Sequence, residues 1–235
     1  MLYQRPHQPA PNALKKAYRF RRLAGSPVVA PLLAELDALP PEAWLPSQWK
    51  WHLGTWFLIL RGGPPGAIPG SALATGGGVD APVLADLPAL RTFLDTGLPA
   101  PAPLAWIGRS PPNSTIALHV DNLQWWDTHH RVHVPLRTDP AARLCVDGRF
   151  LHLPAGTCWA IDNSRPHGVI NDGPSRLHLV VDLPPTPAVE AWLAAGEEVP
   201  GAPDPQALTR LERNPMDKLQ VSDLQGDLLA RLLDQ

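Results

Sequence analysis

Cysteine is scarce: Cys145 and Cys158 are the only two among 235 residues. Two thiols do not make a disulfide framework, so the chain is expected to work in a reducing, cytoplasmic setting. Net charge is also nearly absent, at −2 with neutral histidines, which gives no reason to expect nucleic acid as a partner. Long apolar runs are missing. A run such as Trp56-Phe57-Leu58-Ile59-Leu60 falls far short of the ~20 residues that span a bilayer, so no membrane partner is expected. The opening MLYQRPHQPAPNALKK carries no apolar signal core. No internal repeat is evident, and the length fits one domain, residues 1–235, with room for a sizeable core.

What the chain does have is histidine in one region: seven of the nine lie between His119 and Leu183. Side chains alternate there with period two, the mark of half-buried strands. From Thr115 to Asp121, His119 and Asp121 project one way and Leu118 and Val120 the other. From His130 to Leu136, Arg131 and His133 share a face opposite Val132, Val134 and Leu136. Asp147-Gly148 between two such runs is a two-residue hairpin signal, because both positions favour positive φ. Pro154-Ala155-Gly156-Thr157 and Asn171-Asp172-Gly173-Pro174 mark further turns. Arg176 and His178 then alternate with Leu177 and Leu179. Short strands at even spacing predict a mainly β fold, a double-stranded β-helix of jelly-roll or cupin type, with its core at about 104–183. Residues 1–103 form a helical and strand cover, and 184–235 a helical extension.

Polar residues on one face of such strands point to a site. A His and a carboxylate two apart, joined by a distant His across antiparallel pairing, is the two-His-one-carboxylate arrangement that holds non-haem Fe(II). His119, Asp121 and His167 fit it, and they are the expected metal ligands and catalytic centre. Three protein ligands leave room for a bidentate co-substrate and for O₂. Arg176 follows His167 closely enough to lie deeper in the same barrel, and its planar fork suits a carboxylate.

With these residues in view, the stretch from about Trp106 to Asp182 resembles the aspartyl/asparaginyl β-hydroxylase-like branch of the Fe(II)/2-oxoglutarate oxygenases. The marks are HVD, RVHVPL, AGTCWAID, PHGVIND and RLHLVVD. The resemblance implies that His119, Asp121 and His167 bind Fe(II), that Arg176 binds the distal carboxylate of 2-oxoglutarate, and that Arg131 and His133 contribute to that pocket. It implies a dioxygenase that decarboxylates 2-oxoglutarate with O₂, releases succinate and CO₂, and hydroxylates a C–H bond. Two positions depart from the branch. Some members lack the carboxylate ligand that Asp121 supplies here; its presence favours hydroxylation over halide transfer. A serine that helps hold oxoglutarate in such members falls at Gly108, with Ser110 nearby. The implied substrate is an Asp/Asn-type or other residue in a peptide or protein. The alternatives are a free amino acid or other small molecule, or an oxoglutarate-independent cupin-type metal enzyme.

Around this core the reading is local. Ser26-Pro27 reads as the cap and first position of a helix with Val28, Val29, Leu32, Leu33, Leu36 and Leu39 as its apolar stripe. Trp51 to Arg61 reads as strand, turn, strand, with His52 a packed or surface strand residue and not a ligand. The Gly/Pro/Ala-rich stretch 62–82 reads as disorder or a loose flap in preference to a catalytic lid. Asp86 opens a helix that Gly97 stops, and Thr186-Pro187 opens another. Trp125 and Trp126, directly after the first two ligands, have two open readings: rings that shape a substrate pocket, or an anchor for a loop on the barrel rim. His129, His130 and His133 are split by alternation, against a second metal site, and His152 and His178 read as satisfied strand histidines. Ser222 to Leu233 reads as an amphipathic helix that packs on the barrel or pairs with a second subunit as a homodimer.

Overall fold

The computed structural model describes residues 10–47, 49–63, 77–121 and 124–212. Its strands in chain order are β1 (Phe20–Leu23), β2 (Leu45–Pro46), β3 (Trp56–Gly62), β4 (Val79–Asp80), β5 (Leu104–Ser110), β6 (Ser114–His119) and β7 (His130–Arg137). They continue as β8 (Ala142–Val146), β9 (Arg149–Leu151), β10 (Cys158–Ile161), β11 (His167–Asn171), β12 (Arg176–Leu183), β13 (Glu197–Glu198) and β14 (Ala202–Pro203). The helices are α1 (Val29–Ala38), α2 (Pro88–Thr96), α3 (Gln124–Asp127), α4 (Pro187–Ala194) and α5 (Pro205–Leu211). The helix read at Ser222 to Leu233, the dimer contact tied to it, and most of the 62–82 stretch lie outside the described residues.

Strands β5 to β12 build two facing antiparallel layers, ordered β10-β7-β12-β5 and β9-β8-β11-β6. Successive strands step from one layer to the other, with β8 and β9 the exception as a hairpin. This is the double-stranded β-helix. The larger layer is widened by β1 and β13 at one side and by β3, β2 and β4 at the other, and the smaller by β14. The β8–β9 hairpin turns at Asp147 (φ 50) and Gly148 (φ 72), both in the left-handed region that a two-residue turn of this type needs.

Burial follows the alternation. On the outer face of the larger layer, Val132, Val134, Leu136, Leu177, Leu179 and Val181 pack with Leu32 and Leu36 of α1 and Leu90 and Leu94 of α2. Between the layers, Phe20, Leu144, Val146, Trp159, Ile161 and Val169 fill one end. The polar residues of the inner face occupy the other end. A helix α5 covers the outside of the smaller layer through Ala207 and Leu211 against Leu118, Cys145 and Ile170. Among the described residues no helix is long and apolar enough to cross a membrane.

Two local expectations change. Helix α1 starts at Val29, with Val28 at its cap and no side-chain capping bond, not at Pro27. The reason is Pro31. In a helix begun at Pro27, residue 31 would have to donate to the carbonyl of residue 27, and proline has no N–H and a ring that clashes there. Beginning two residues later puts Pro31 in the first turn, where no donor is required. The segment Lys50–His52 is a 3₁₀ turn and not a strand. Gly54 at φ +79 then reverses the chain into β3, so the tryptophans before it fold over the barrel mouth. By contrast Thr186 caps α4 as read, its side chain accepting from the Val189 amide.

Gly168 sits at the register shift between β11 and β6. A Cβ there would meet the Ile116 carbonyl oxygen at 2.7 Å, a backbone atom that cannot swing aside. Gly168→Ala should therefore destabilise the protein by about 1–3 kcal/mol. Urea unfolding checks this, and an unchanged midpoint would contradict it.

Candidate metal centre

His119 ends β6, His167 begins β11, and the two are direct Cα partners across the pairing. Their rings lie 4.3 Å apart between centroids. Asp121 follows just past the strand, where its amide donates to the Asn163 carbonyl at 3.2 Å. Asp121 Oδ1 is 3.9 Å from His119 Nε2, and Oδ2 is 3.8 Å from His167 Nε2. One donor atom from each residue falls within 4.8 Å of the others, and all three residues are buried. Among the described residues this is the only such group.

The hydrogen bonds behind the rings set their tautomers. His119 Nδ1 lies 2.8 Å from the Ala117 carbonyl and His167 Nδ1 lies 3.0 Å from the Arg165 carbonyl. A carbonyl only accepts, so both Nδ1 atoms carry the proton and both Nε2 lone pairs face inward. Burial, with the neighbouring His167 imidazole, pushes His119 down to about 3; burial also lowers His167. Both rings are therefore neutral near pH 7. Burial alone would raise Asp121, but the Arg131 guanidinium, the two imidazoles and the Asn163 amide hold it below the usual carboxylate range. Two neutral nitrogens and one carboxylate oxygen suit a divalent first-row cation such as Fe(II). The residues fit the metal that the sequence implies.

Supporting groups hold Asp121 in place. Asn163 donates to Asp121 Oδ2 at 3.0 Å, and the buried Lys16 donates to Asn163 Oδ1. Arg131 Nη1 also donates to Asp121 Oδ2. The Nε and Nη2 groups of Arg131 donate at 2.9 and 3.0 Å to the two oxygens of Asp182, which is fully buried. Arg131 and Asp182 are opposite each other in the β7–β12 register. Asp182 was within reach of the sequence pattern, since it continues the face of Arg176, His178 and Val180. Lys16 and Asn163 were not, because each comes from an irregular segment.

Arg131 and His133 share the inner face, as the alternation required, but they differ in commitment. The guanidinium is taken up by two carboxylates of the chain, whereas both ring nitrogens of buried His133 lack a partner among the described residues. Arg176 lies on the same wall, 5% exposed. Its Nη2 is 2.7 Å from His178 Nδ1, and among the described residues no carboxylate pairs with it. Burial pushes it down to about 9. These groups and the metal ligands line one cavity of about 300 Å³, whose remaining wall includes Trp49, Trp51, Trp106 and Trp126.

The two tryptophans divide between their two readings. Trp126 lines the cavity, its ring 5.2 Å from the Arg131 guanidinium. Trp125 is an anchor: its indole donates to Asp182 Oδ2 at 3.0 Å and it stacks on His129 at 3.6 Å. His130 bonds Glu190 at 2.8 Å, so the 129–133 histidines serve separate partners. His152 is satisfied by the Ala142 carbonyl at 2.9 Å. His178 is not satisfied, since its Nε2 is buried without a partner. His52 departs most from expectation: its Nε2 lies 3.2 Å from His119 Nε2. Because His119 holds its proton on Nδ1, His52 is the donor in this bond, and it occupies the lone pair a metal would take. Trp51 stacks over the same His119 ring at 6.5 Å.

A double-stranded β-helix carrying two histidines and an aspartate at its open end is a cupin-type fold with a candidate metal site. Residues 73–185 match the family described as aspartyl/asparaginyl beta-hydroxylase. An L-proline cis-4-hydroxylase of Rhizobium meliloti (strain 1021) is 28% identical over 119 residues, 50% of this chain and 42% of that protein. The chain thus matches less than half the length of that curated relative. Among solved structures, an oxidoreductase of the 2OG-Fe(II) oxygenase family from Burkholderia pseudomallei aligns with a TM-score of 0.42 and 16% identity, covering 74% of this chain and 80% of that one. A cupin domain from Bordetella pertussis Tohama I aligns with a TM-score of 0.28 and 20% identity, over 34% of this chain and 78% of that one.

Removing one partner of a buried ion pair strands the other, at a cost of about 3–5 kcal/mol. Asp182→Ala should lose stability of that order, because it leaves the Arg131 fork half empty and frees the Trp125 indole. Chemical denaturation measures it; a loss below about 1 kcal/mol, the range of exposed pairs, would show that Asp182 is not the support described.

Proposed function

We propose that this chain is an Fe(II)- and 2-oxoglutarate-dependent dioxygenase that hydroxylates an aliphatic C–H bond of a free amino acid. The observation that carries the reading is the presence in one cavity of a three-ligand donor set and a buried guanidinium with no carboxylate of its own. A buried, unpaired charge is costly, so Arg176 calls for an anionic ligand, and the distal carboxylate of 2-oxoglutarate supplies one. Iron, when bound, supplies the activation of O₂ coupled to decarboxylation of the co-substrate.

The protein's own residues do the rest. His119, Asp121 and His167 hold the metal through Nε2, a carboxylate oxygen and Nε2. Arg176 grips the co-substrate at the far end, so the 2-oxo acid end reaches the metal. Arg131 acts by fixing Asp121 and not as a free co-substrate cation, while His133 stays available to the co-substrate. Trp49, Trp51 and Trp126 wall off water and offer apolar surface to the substrate.

Two observations favour a free amino acid. The relative with 28% identity is named for hydroxylating L-proline, and a cavity of about 300 Å³ is at the small end of the ~300–1,000 Å³ typical of ligand sites. The family description favours the second reading, an Asp or Asn residue in a peptide.

Purified protein given Fe(II), ascorbate and 2-oxoglutarate should form succinate, and one member of a pool of amino acids should gain the mass of one oxygen atom. Asp121→Ala and His167→Ala should each abolish both signals. Turnover without 2-oxoglutarate, or undiminished in either variant, would refute the reading. Arg176→Ala should raise the half-saturating 2-oxoglutarate concentration by roughly 10- to 150-fold, the loss of a hydrogen-bonded charge contact. An unaltered requirement would move the co-substrate elsewhere.

A further inference from the structure

Beside Arg176 lies a donor that no hydrogen bond among the described residues uses. His178 follows Arg176 by two along β12, so both project to the inner face; in the antiparallel register they stand opposite Gly108 and Ser110 of β5. His178 is 2% exposed and lines the cavity with Arg176. A guanidinium only donates, so the 2.7 Å contact from Arg176 Nη2 makes His178 Nδ1 the acceptor. The imidazole proton is thereby forced onto Nε2. That N–H is buried and has no partner among the described residues. Across the ladder, Gly108 offers no side chain, and a Cβ built there would meet nothing within 4 Å. The space in front of the imidazole is left open.

A buried donor without an acceptor is destabilising and uncommon in native proteins. Both orphans are met at once by a single carboxylate that takes one bond from the guanidinium and one from the imidazole.

We propose that His178 is a second binding residue for the distal carboxylate of the co-substrate, with its Nε2–H and the Arg176 guanidinium forming a two-point clamp that selects 2-oxo diacids over 2-oxo monoacids. The inference rests on the 2-oxoglutarate reading above and deepens it. Arg176 has two functions in this clamp: it contributes charge, and through Nη2 it dictates the tautomer that lets His178 donate.

The test is binding and not turnover. Quenching of tryptophan fluorescence in Mn(II)-loaded protein gives dissociation constants for 2-oxoglutarate and for 2-oxobutyrate, which keeps the metal-chelating end and lacks the distal carboxylate. In the wild type the diacid should bind more tightly. His178→Leu should weaken 2-oxoglutarate about tenfold, the size of one hydrogen bond to a charged group, and leave 2-oxobutyrate unchanged. His178→Gln, whose amide can still donate, should recover most of the loss. Equal weakening of both acids, or of neither, would overturn the clamp while leaving the co-substrate reading intact. A wild type with no preference for the diacid would overturn both, and that result precedes any variant.

Discussion

The antiparallel pairing of β6 with β11 is the constraint on which the site depends. It sets His119 and His167 opposite each other, although 47 positions separate them along the chain, and their Nδ1–H groups are both discharged on carbonyls two residues upstream, Ala117 within β6 and Arg165 in the turn that leads into β11. Ring direction and tautomer thus come from backbone at the strand ends. Asp121 needs more help because it lies beyond the strand end. Its support comes from the Asn163 loop and, through Arg131, from β12 in the other layer. The three ligands are therefore positioned by both sheets together, and neither layer alone would assemble them.

Two arginines on the inner wall illustrate how charge balance separates structure from function. Arg131 is matched by Asp121 and Asp182, so its burial is compensated within the chain and its fork serves as a strut. Arg176 is equally buried, yet its only hydrogen-bonding neighbour described is an imidazole that accepts from it. Uncompensated burial of this kind is tolerated where a ligand completes the balance. Among the described residues the nitrogens of His133 and His178 Nε2 are likewise buried without a partner on the same wall.

Much of this architecture was legible in the residues. Period-two alternation placed His119 with Asp121, and Arg131 with His133, on the inner face, and Asp147-Gly148 marked its hairpin. Arg176 beyond His167 was readable for the same reason. What escaped depends on contacts distant in sequence. Lys16 reaches the ligand Asp121 only through Asn163, and no local pattern encodes that. His52 was hidden because Lys50–His52 is a 3₁₀ turn, for which strand alternation carries no information. The cap signal at Ser26 misplaces the start of α1 because Pro31, four residues after Pro27, vetoes a helix begun there. His178 was read as satisfied because alternation reports the face a side chain occupies and is silent on whether a partner waits there.

The open end of the barrel combines a candidate metal-binding triad, an aromatic wall and a buried guanidinium that no carboxylate among the described residues pairs with. A crystal structure of the protein with Mn(II) and 2-oxoglutarate tests this arrangement most directly. The account predicts one ion bound by His119 Nε2, His167 Nε2 and an Asp121 oxygen, with the co-substrate spanning from that ion to Arg176. An ion bound elsewhere, or a co-substrate whose distal carboxylate lies away from Arg176, would contradict it.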